Sequence, residues 1–157
     1  EDCRRQRQMC IRDRENTTRV PLIIFSPHHT KPNTRCENPV SLLDLYPTLV
    51  ELCALKNPPQ ELEGQSLVDL LGHPDAVTEQ IAITTQGKNN HSVRSRHHRY
   101  IQYADGSEEL YDHDNDPNEW NNLASDDRYA DTKKRLAGFL PKTNAEPYLL
   151  QQKSDIN

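Results

Sequence analysis

The sequence predicts an α/β chain in two parts. One strand and one helix of a larger parallel-sheet layer come first, and a small subdomain with a four-stranded antiparallel sheet and a C-terminal helix follows. Three observations carry this. The run Val20-Pro-Leu-Ile-Ile-Phe25 is continuously apolar, the pattern of a strand covered on both faces. Leu45, Leu49, Leu52 and Cys53 repeat at helical spacing. Strand-like runs then crowd into residues 81–112, the last two joined by Asp105-Gly106, a strong hairpin signal.

Taken in order, residues 1–14, EDCRRQRQMCIRDR, are arginine-rich with little that packs, and read as a disordered or artefactual leader without tertiary contacts. The apolar run 20–25 follows, closed by Ser26-Pro27. Helix 45–55 comes next, with Asp44 as expected N-cap and Pro47 in the first turn, where its missing N–H costs nothing. Asn57-Pro58-Pro59 ends it, and residues 62–71 read as a loop with a short helical turn. Strands are expected at 81–86, 91–96, 99–104 and 108–112, close to the usual sheet size. A second helix spans 127–140, with Tyr129, Leu136, Phe139 and Leu140 as packing residues and Pro141 as its stop. The tail, 142–157, reads as flexible. A strand apolar on both faces cannot be satisfied by one helix and a small antiparallel sheet, so the chain is expected to be a fragment or to complete a larger sheet.

Composition sets outer limits. Of 157 residues, 33% are hydrophobic, and the mean hydropathy is −0.95, which implies a thin core. A net charge of −5 argues against broad attraction to nucleic acid or anionic membranes. No apolar run approaches the roughly 20 residues that span a bilayer. The cysteines, Cys3, Cys10, Cys36 and Cys53, form no C-x-x-C pair and leave the redox compartment open. Cys53 is expected to be buried, and Cys36 is equally arguable as a disulfide or a free thiol.

Asp112, Asp114 and Asp116 alternate like the first ligands of an EF-hand. The sixth position of that register is Pro117 rather than glycine, and the twelfth is Leu123, which offers no oxygen. A strand running into an Asx-rich turn is the better reading.

Four stretches, TRVPLIIFS (18–26), PVSLLDLYPTLVELC (39–53), LEGQSL (62–67) and ELYDHDNDPNEWNNLA (109–124), stand in an order that resembles the C-terminal third of a formylglycine-dependent sulfatase of the iduronate-2-sulfatase-like branch. The resemblance covers about residues 15–140. It implies an alkaline-phosphatase-like fold, with 15–75 ending the large domain and 76–141 forming the C-terminal antiparallel subdomain. It also implies hydrolysis of sulfate esters, with sulfated saccharides as substrates. The formylglycine nucleophile and calcium would come from an N-terminal part that this chain lacks, leaving the piece inactive alone and with neither catalytic residue nor metal ligand of its own. A periplasmic or extracellular parent is compatible with it, and localisation stays open. Cys10-Ile-Arg-Asp-Arg14 keeps the Cys and Arg of the family's Cys-x-Pro-Ser-Arg motif but replaces its Pro and Ser, and it stands too late in the fold.

The cationic and amide donors of Lys88, Asn90, His91 and Arg94 are the expected substrate-binding set, since sulfated sugars need such groups. The alternative for His91 is a solvated hairpin edge. His97 and His98, adjacent on a strand, point to opposite faces and cannot chelate one ion. His28 and His29 with Cys36 fit no usual zinc spacing and read as surface loop. Trp120 reads as the packing anchor of a turn beside Leu123 rather than a sugar platform. Two rivals remain: a nucleic-acid module using RSRHHRYIQY (94–103), made unattractive by the adjoining acidic segment, and a non-catalytic module that completes another chain's sheet.

Overall fold

A computed structural model describes residues 13–76 and 78–144. Residues 1–12 and 145–157 lie outside, and with them Cys3, Cys10 and most of the expected leader and tail. The elements are α1 (Glu15–Thr18), α2 (Leu45–Leu52), α3 (Val68–Gly72), β1 (Ala82–Thr85), β2 (His91–Arg94), β3 (His98–Gln102), β4 (Glu108–Asp112) and α4 (Ala130–Ala137).

The strands form one antiparallel meander in the order β1-β2-β3-β4. Its register pairs Ile83 with Val93, Val93 with Tyr100 and Tyr100 with Leu110. Gly106 turns the last hairpin at φ +84°, a left-handed value that favours glycine, and its N–H donates to the Tyr103 carbonyl at 3.0 Å. Side chains alternate across the sheet, so Val93, Tyr100 and Leu110 share one face. Leu136 of α4 closes over them, and all four are fully buried. Tyr129, Phe139, Leu140 and Leu123 surround this core, as the helical spacing of 127–140 predicts. The opposite face carries Ile101, Tyr103 and Tyr111, and it is covered by the N-terminal residues from Asp13 onward.

That covering corrects the expected leader. Asp13 is 1% exposed, and the Arg14 guanidinium stacks 5.1 Å from the centre of the Tyr111 ring. Arg14 is held because its planar cation finds an aromatic face and a carboxylate together.

Residues 20–25 pair with no strand among the described residues, and Ile23 and Phe25 are 90% and 85% exposed. The apolar pattern of a doubly covered strand is present, and among the described residues no layer covers it.

Helix α2 also departs from expectation at its start and on its face. A 3-10 turn, Leu42–Asp44, precedes it, capped by Ser41 in a capping box in which Asp44 Oδ2 accepts from Ser41 N at 2.7 Å. Asp44 does stand at the N-cap position of α2 but makes no side-chain capping bond there; its carboxylate instead completes the Ser41 capping box, because the 3-10 turn starts the helical stretch earlier. Thr48 and Val50 are buried, whereas Leu49 and Cys53 are exposed. Among the described residues nothing covers the Leu49 and Cys53 side of the helix, while the Thr48 hydroxyl, turned to the LEGQSL stretch, accepts from Leu67 N at 2.9 Å. Cys36 is an exposed free thiol.

The LEGQSL stretch docks against this helix start. Asp44 Oδ1 accepts from Gln65 N at 2.9 Å, and a Cβ on Gly64 would stand 2.1 Å from the Leu43 carbonyl oxygen. Glycine is needed here for closeness of approach.

Candidate functional site

The β1–β2 turn is built by backbone geometry. Gln86 N donates to Asn90 O at 3.0 Å, and Gly87 and Asn89 take φ of +73° and +63°. Lys88 and Asn89 are exposed at its tip, while Asn90 and His91 are buried beneath. The Asn90 amide donates to Lys88 O at 3.2 Å and accepts from Ala104 N at 3.0 Å, so it ties this turn to the β3–β4 hairpin. His91 is 4% exposed; its Nδ1 lies 2.9 Å from Thr85 Oγ1, and its Nε2 is buried without a hydrogen-bond partner. A polar cleft of about 290 Å³ opens here, lined chiefly by Asn89, His91, Gln102, Tyr103 and Asn144, with no carboxylate among its lining residues.

The solvated-edge reading of His91 is corrected. Its register places it opposite both Thr85 and Gln102, so β2 is an inner strand and the imidazole is enclosed by neighbours on each side. Lys88, Asn90 and His91 do come together. Arg94 does not: it lies three residues further along the strand, on the other face, where its Nε donates to Glu15 Oε2 at 3.1 Å. Its Nη1 also donates to the carbonyls of Ser95 and Arg96.

That other face holds a polar cluster which sequence reading missed. Arg99 is 1% exposed, and its Nε donates to Glu119 Oε1 at 2.7 Å. Its Nη1 reaches Asp13 O at 2.9 Å and Ser92 Oγ at 2.8 Å; its Nη2 reaches Glu15 Oε2 at 2.6 Å and Thr18 Oγ1 at 2.9 Å. A guanidinium has five N–H donors, and each has an acceptor here. Glu119, at φ +57° and 1% exposed, also accepts from His113 Nε2 and from Glu15 N, both at 3.0 Å. Its carbonyl accepts from Arg14 Nη1 at 2.9 Å. Glu15, Glu109 and Glu119 pair here with Arg14, Arg94 and Arg99, and Arg19 lies 3.9 Å from Glu15 at the exposed side. The available signal was Arg99 itself, an arginine two positions before an apolar residue of the same strand face.

Burial pushes the Glu15 carboxyl up, but Arg94 and Arg99 overcome this and hold it below the ordinary value of 4.5. Glu119 is likewise lowered from 4.5, its burial outweighed by the His113 hydrogen bond and the Arg99 charge. Groups whose folded values are depressed stabilise the protein above their unfolded values, and that contribution disappears as pH falls through the folded ones. Asp13, raised above 3.8 by burial, works in the opposite sense. Urea unfolding should therefore show stability falling as pH drops through and below the ordinary carboxylate value of 4.5, and Glu119→Gln should flatten this slope. A slope identical in the variant would remove Glu119 from the account.

Glu15, His113 and Glu119 bring ligand atoms within 4.8 Å of one another. Calcium asks for six to eight oxygens around one centre. The Arg99 guanidinium already sits between the two carboxylates, so these residues do not fit calcium. Asp112, Asp114 and Asp116 serve the turn instead: Asp112 Oδ1 accepts from Asp114 N at 3.0 Å and Asp116 Oδ2 from Asn121 N at 2.7 Å.

His97 makes an exposed pair with Asp114 at 2.8 Å, whereas His98 packs edge-on to Tyr129. His28 and His29 are exposed, the latter beside Ser26. The base-stacking reading of RSRHHRYIQY loses its platform, because Arg99, Tyr100 and Ile101 are buried. Trp120 is 79% exposed, which corrects its reading as a packing anchor: Leu123 packs toward the core, and the indole is left largely uncovered by the described residues. No described helix is long and apolar enough to cross a membrane.

Residues 10–146 match the family model described as N-sulphoglucosamine sulphohydrolase, C-terminal. A protein named sulfatase from Formosa agariphila is 39% identical over 153 residues, covering 91% of this chain and 30% of its own length. A Delta 4,5-hexuronate-2-O-sulfatase from Bacteroides thetaiotaomicron is 33% identical, covering 74% of this chain and 26% of its own length. A structure solved in complex with its substrate D-glucosamine-2-N,6-O-disulfate superposes with a TM-score of 0.50 at 25% identity, covering 60% of this chain and 22% of that one. The chain thus spans less than a third of the length of these relatives.

Proposed function

The chain belongs to the N-sulphoglucosamine sulphohydrolase C-terminal family, and from that membership we propose that it is the C-terminal part of a sulfatase hydrolysing sulfate esters of sulfated saccharides. The observation that carries this is the family match over residues 10–146. The exposed apolar run 20–25 supports the further point that a longer parent covers it, since exposure of 90% at Ile23 and 85% at Phe25 is costly in water. A formylglycine and a calcium ion would supply nucleophile and charge neutralisation in the parent, held by residues outside this chain.

This chain's own contribution is to shape the substrate side. The carboxylate-free cleft under the β1–β2 turn suits an anionic sugar: Asn89 and His91 line it, Lys88 is exposed next to Asn89 in the turn, and Asn90 holds the turn from below. Arg94 has a structural part, bound to Glu15.

The isolated chain is expected to release no sulfate from a chromogenic sulfate ester with calcium present. Fused behind the N-terminal remainder of the Formosa agariphila relative, it is expected to support turnover. Turnover by the isolated chain that Cys10→Ala abolishes would overturn the proposal, as would an inactive but folded fusion.

A further inference from the structure

The two turns that flank the cleft lie at the same end of the meander. The β1–β2 turn, residues 86–90, and the β3–β4 turn, residues 103–107, stand on either side of the β2–β3 seam, whose backbone pairing ends at His91 and Gln102. Beyond that pair the ladder no longer ties one turn to the other. A side chain continues the seam instead: Asn90, 6% exposed, accepts from Ala104 N at 3.0 Å through Oδ1. Its remaining polar groups serve its own turn, the carbonyl accepting from Gln86 N at 3.0 Å and the amide donating to Lys88 O at 3.2 Å. A carboxamide carries an acceptor and donors in one plane, so Asn90 can engage both turns at once.

The walls of the cleft divide along the same line. Asn89 and His91 stand on the β1–β2 side, and Gln102, Tyr103, Ala104 and Gly106 on the β3–β4 side. Asn144 accepts from Asn89 N at 3.2 Å and closes the rim. Asn90 is not one of the lining residues; it is buried behind them, and the width between the walls depends on its reach.

We propose that Asn90 is a positioning residue: by bonding Ala104 it holds the two turns at the separation that lets the cleft grip a saccharide ring from both sides, without itself touching the ring. This role rests on the saccharide reading of the cleft. Without the tie, a turn that keeps the competent geometry about a tenth of the time binds about tenfold more weakly, while the chemical step is untouched.

The test uses the chain fused behind the N-terminal remainder of the Formosa agariphila relative, assayed on a chromogenic sulfate ester and on a panel of sulfated glycosaminoglycan disaccharides. Asn90→Ala should raise KM for the disaccharides about tenfold and leave kcat within about twofold. Its KM for the chromogenic ester, which has no sugar for the cleft, should not move. Ser95→Ala is the structural control, because Ser95 is 8% exposed and its hydroxyl bonds His98 N at 3.1 Å and His98 O at 3.0 Å at the opposite end of the sheet. It should lower the melting temperature and leave both KM values alone. In the unmutated chain, the Ala104 N–H should exchange slowly with solvent although it lies beyond β3, a measurement that does not depend on any variant folding.

Rapid exchange at Ala104 would overturn the proposal. So would an unchanged disaccharide KM in Asn90→Ala, or a rise that the chromogenic ester or Ser95→Ala shares. Those outcomes strike this role alone, whereas a folded fusion that turns over no disaccharide strikes the saccharide reading and this role with it.

Discussion

Replacing Arg99 with methionine is expected to lower folding stability by about 3–5 kcal/mol, the range seen when one partner of a buried ion pair is removed. The side chain fits an apolar strand face, so bulk is not the problem. The loss comes from what stays behind. Glu119 is 1% exposed and would keep only His113 and one backbone N–H, and the Asp13 carbonyl, Ser92 hydroxyl and Thr18 hydroxyl would each lose a donor. Arg99→Lys should be intermediate, because a compact ammonium with three donors cannot replace a five-donor fork reaching Glu119, Asp13, Ser92, Glu15 and Thr18. Adding Glu119→Gln to Arg99→Met should be markedly less damaging than the two losses summed. Chemical denaturation of the four proteins gives this cycle. A loss under about 1 kcal/mol for Arg99→Met would mean that solvent reaches the cluster and screens it.

The second large effect is expected at Gly64. Alanine there would place its Cβ 2.1 Å from the Leu43 carbonyl oxygen and 2.9 Å from Asp44 N, both backbone atoms that cannot swing aside. The loop must retreat, and the Gln65–Asp44 and Leu67–Thr48 hydrogen bonds retreat with it. Overpacking of this kind costs about 1–3 kcal/mol and sometimes more, and the shared loss of two bonds puts Gly64→Ala at the upper end. Gly72 is the matched control: a methyl added there would meet nothing within 4 Å, and Gly72→Ala should be nearly neutral or slightly stabilising. Thermal melts of both variants decide it: equal melting temperatures would show that the Gly64 loop has room the geometry denies.

The small sheet is largely legible in the sequence. The expected strands at 81–86, 91–96, 99–104 and 108–112 overlap all four observed ones, because alternation and the Asp105-Gly106 turn are local signals that the chain resolves locally. The same holds for α4, whose expected packing residues Tyr129, Leu136, Phe139 and Leu140 all meet the core. What escapes is whatever depends on distant partners. Arg14 reads as part of an unpacked leader because Glu109, Tyr111 and Glu119 lie about a hundred residues away. Leu49 and Cys53 read as inside because periodicity marks a face without saying that a layer covers it. Of the candidate site, the Lys88–His91 turn is legible, but Arg94 joins it only by nearness in sequence. Two-residue alternation sends it to the opposite face, an inference open from the strand register alone.

The meander has a consequence for the order in which the molecule assembles. Its strands meet only their sequence neighbours, through hairpins of short span, so the sheet can form early at small entropic expense. The contacts of Asp13 and Arg14 span 79 to 105 residues and have nothing to grip until β3 and the Glu119 turn are in place. Docking of the N-terminal segment thus belongs to the far side of the folding barrier. Interactions made there barely change how fast a chain folds; they govern how slowly it comes apart. The Arg99 cluster is in this sense expected to act as a brake on opening, slowing unfolding more than it speeds folding.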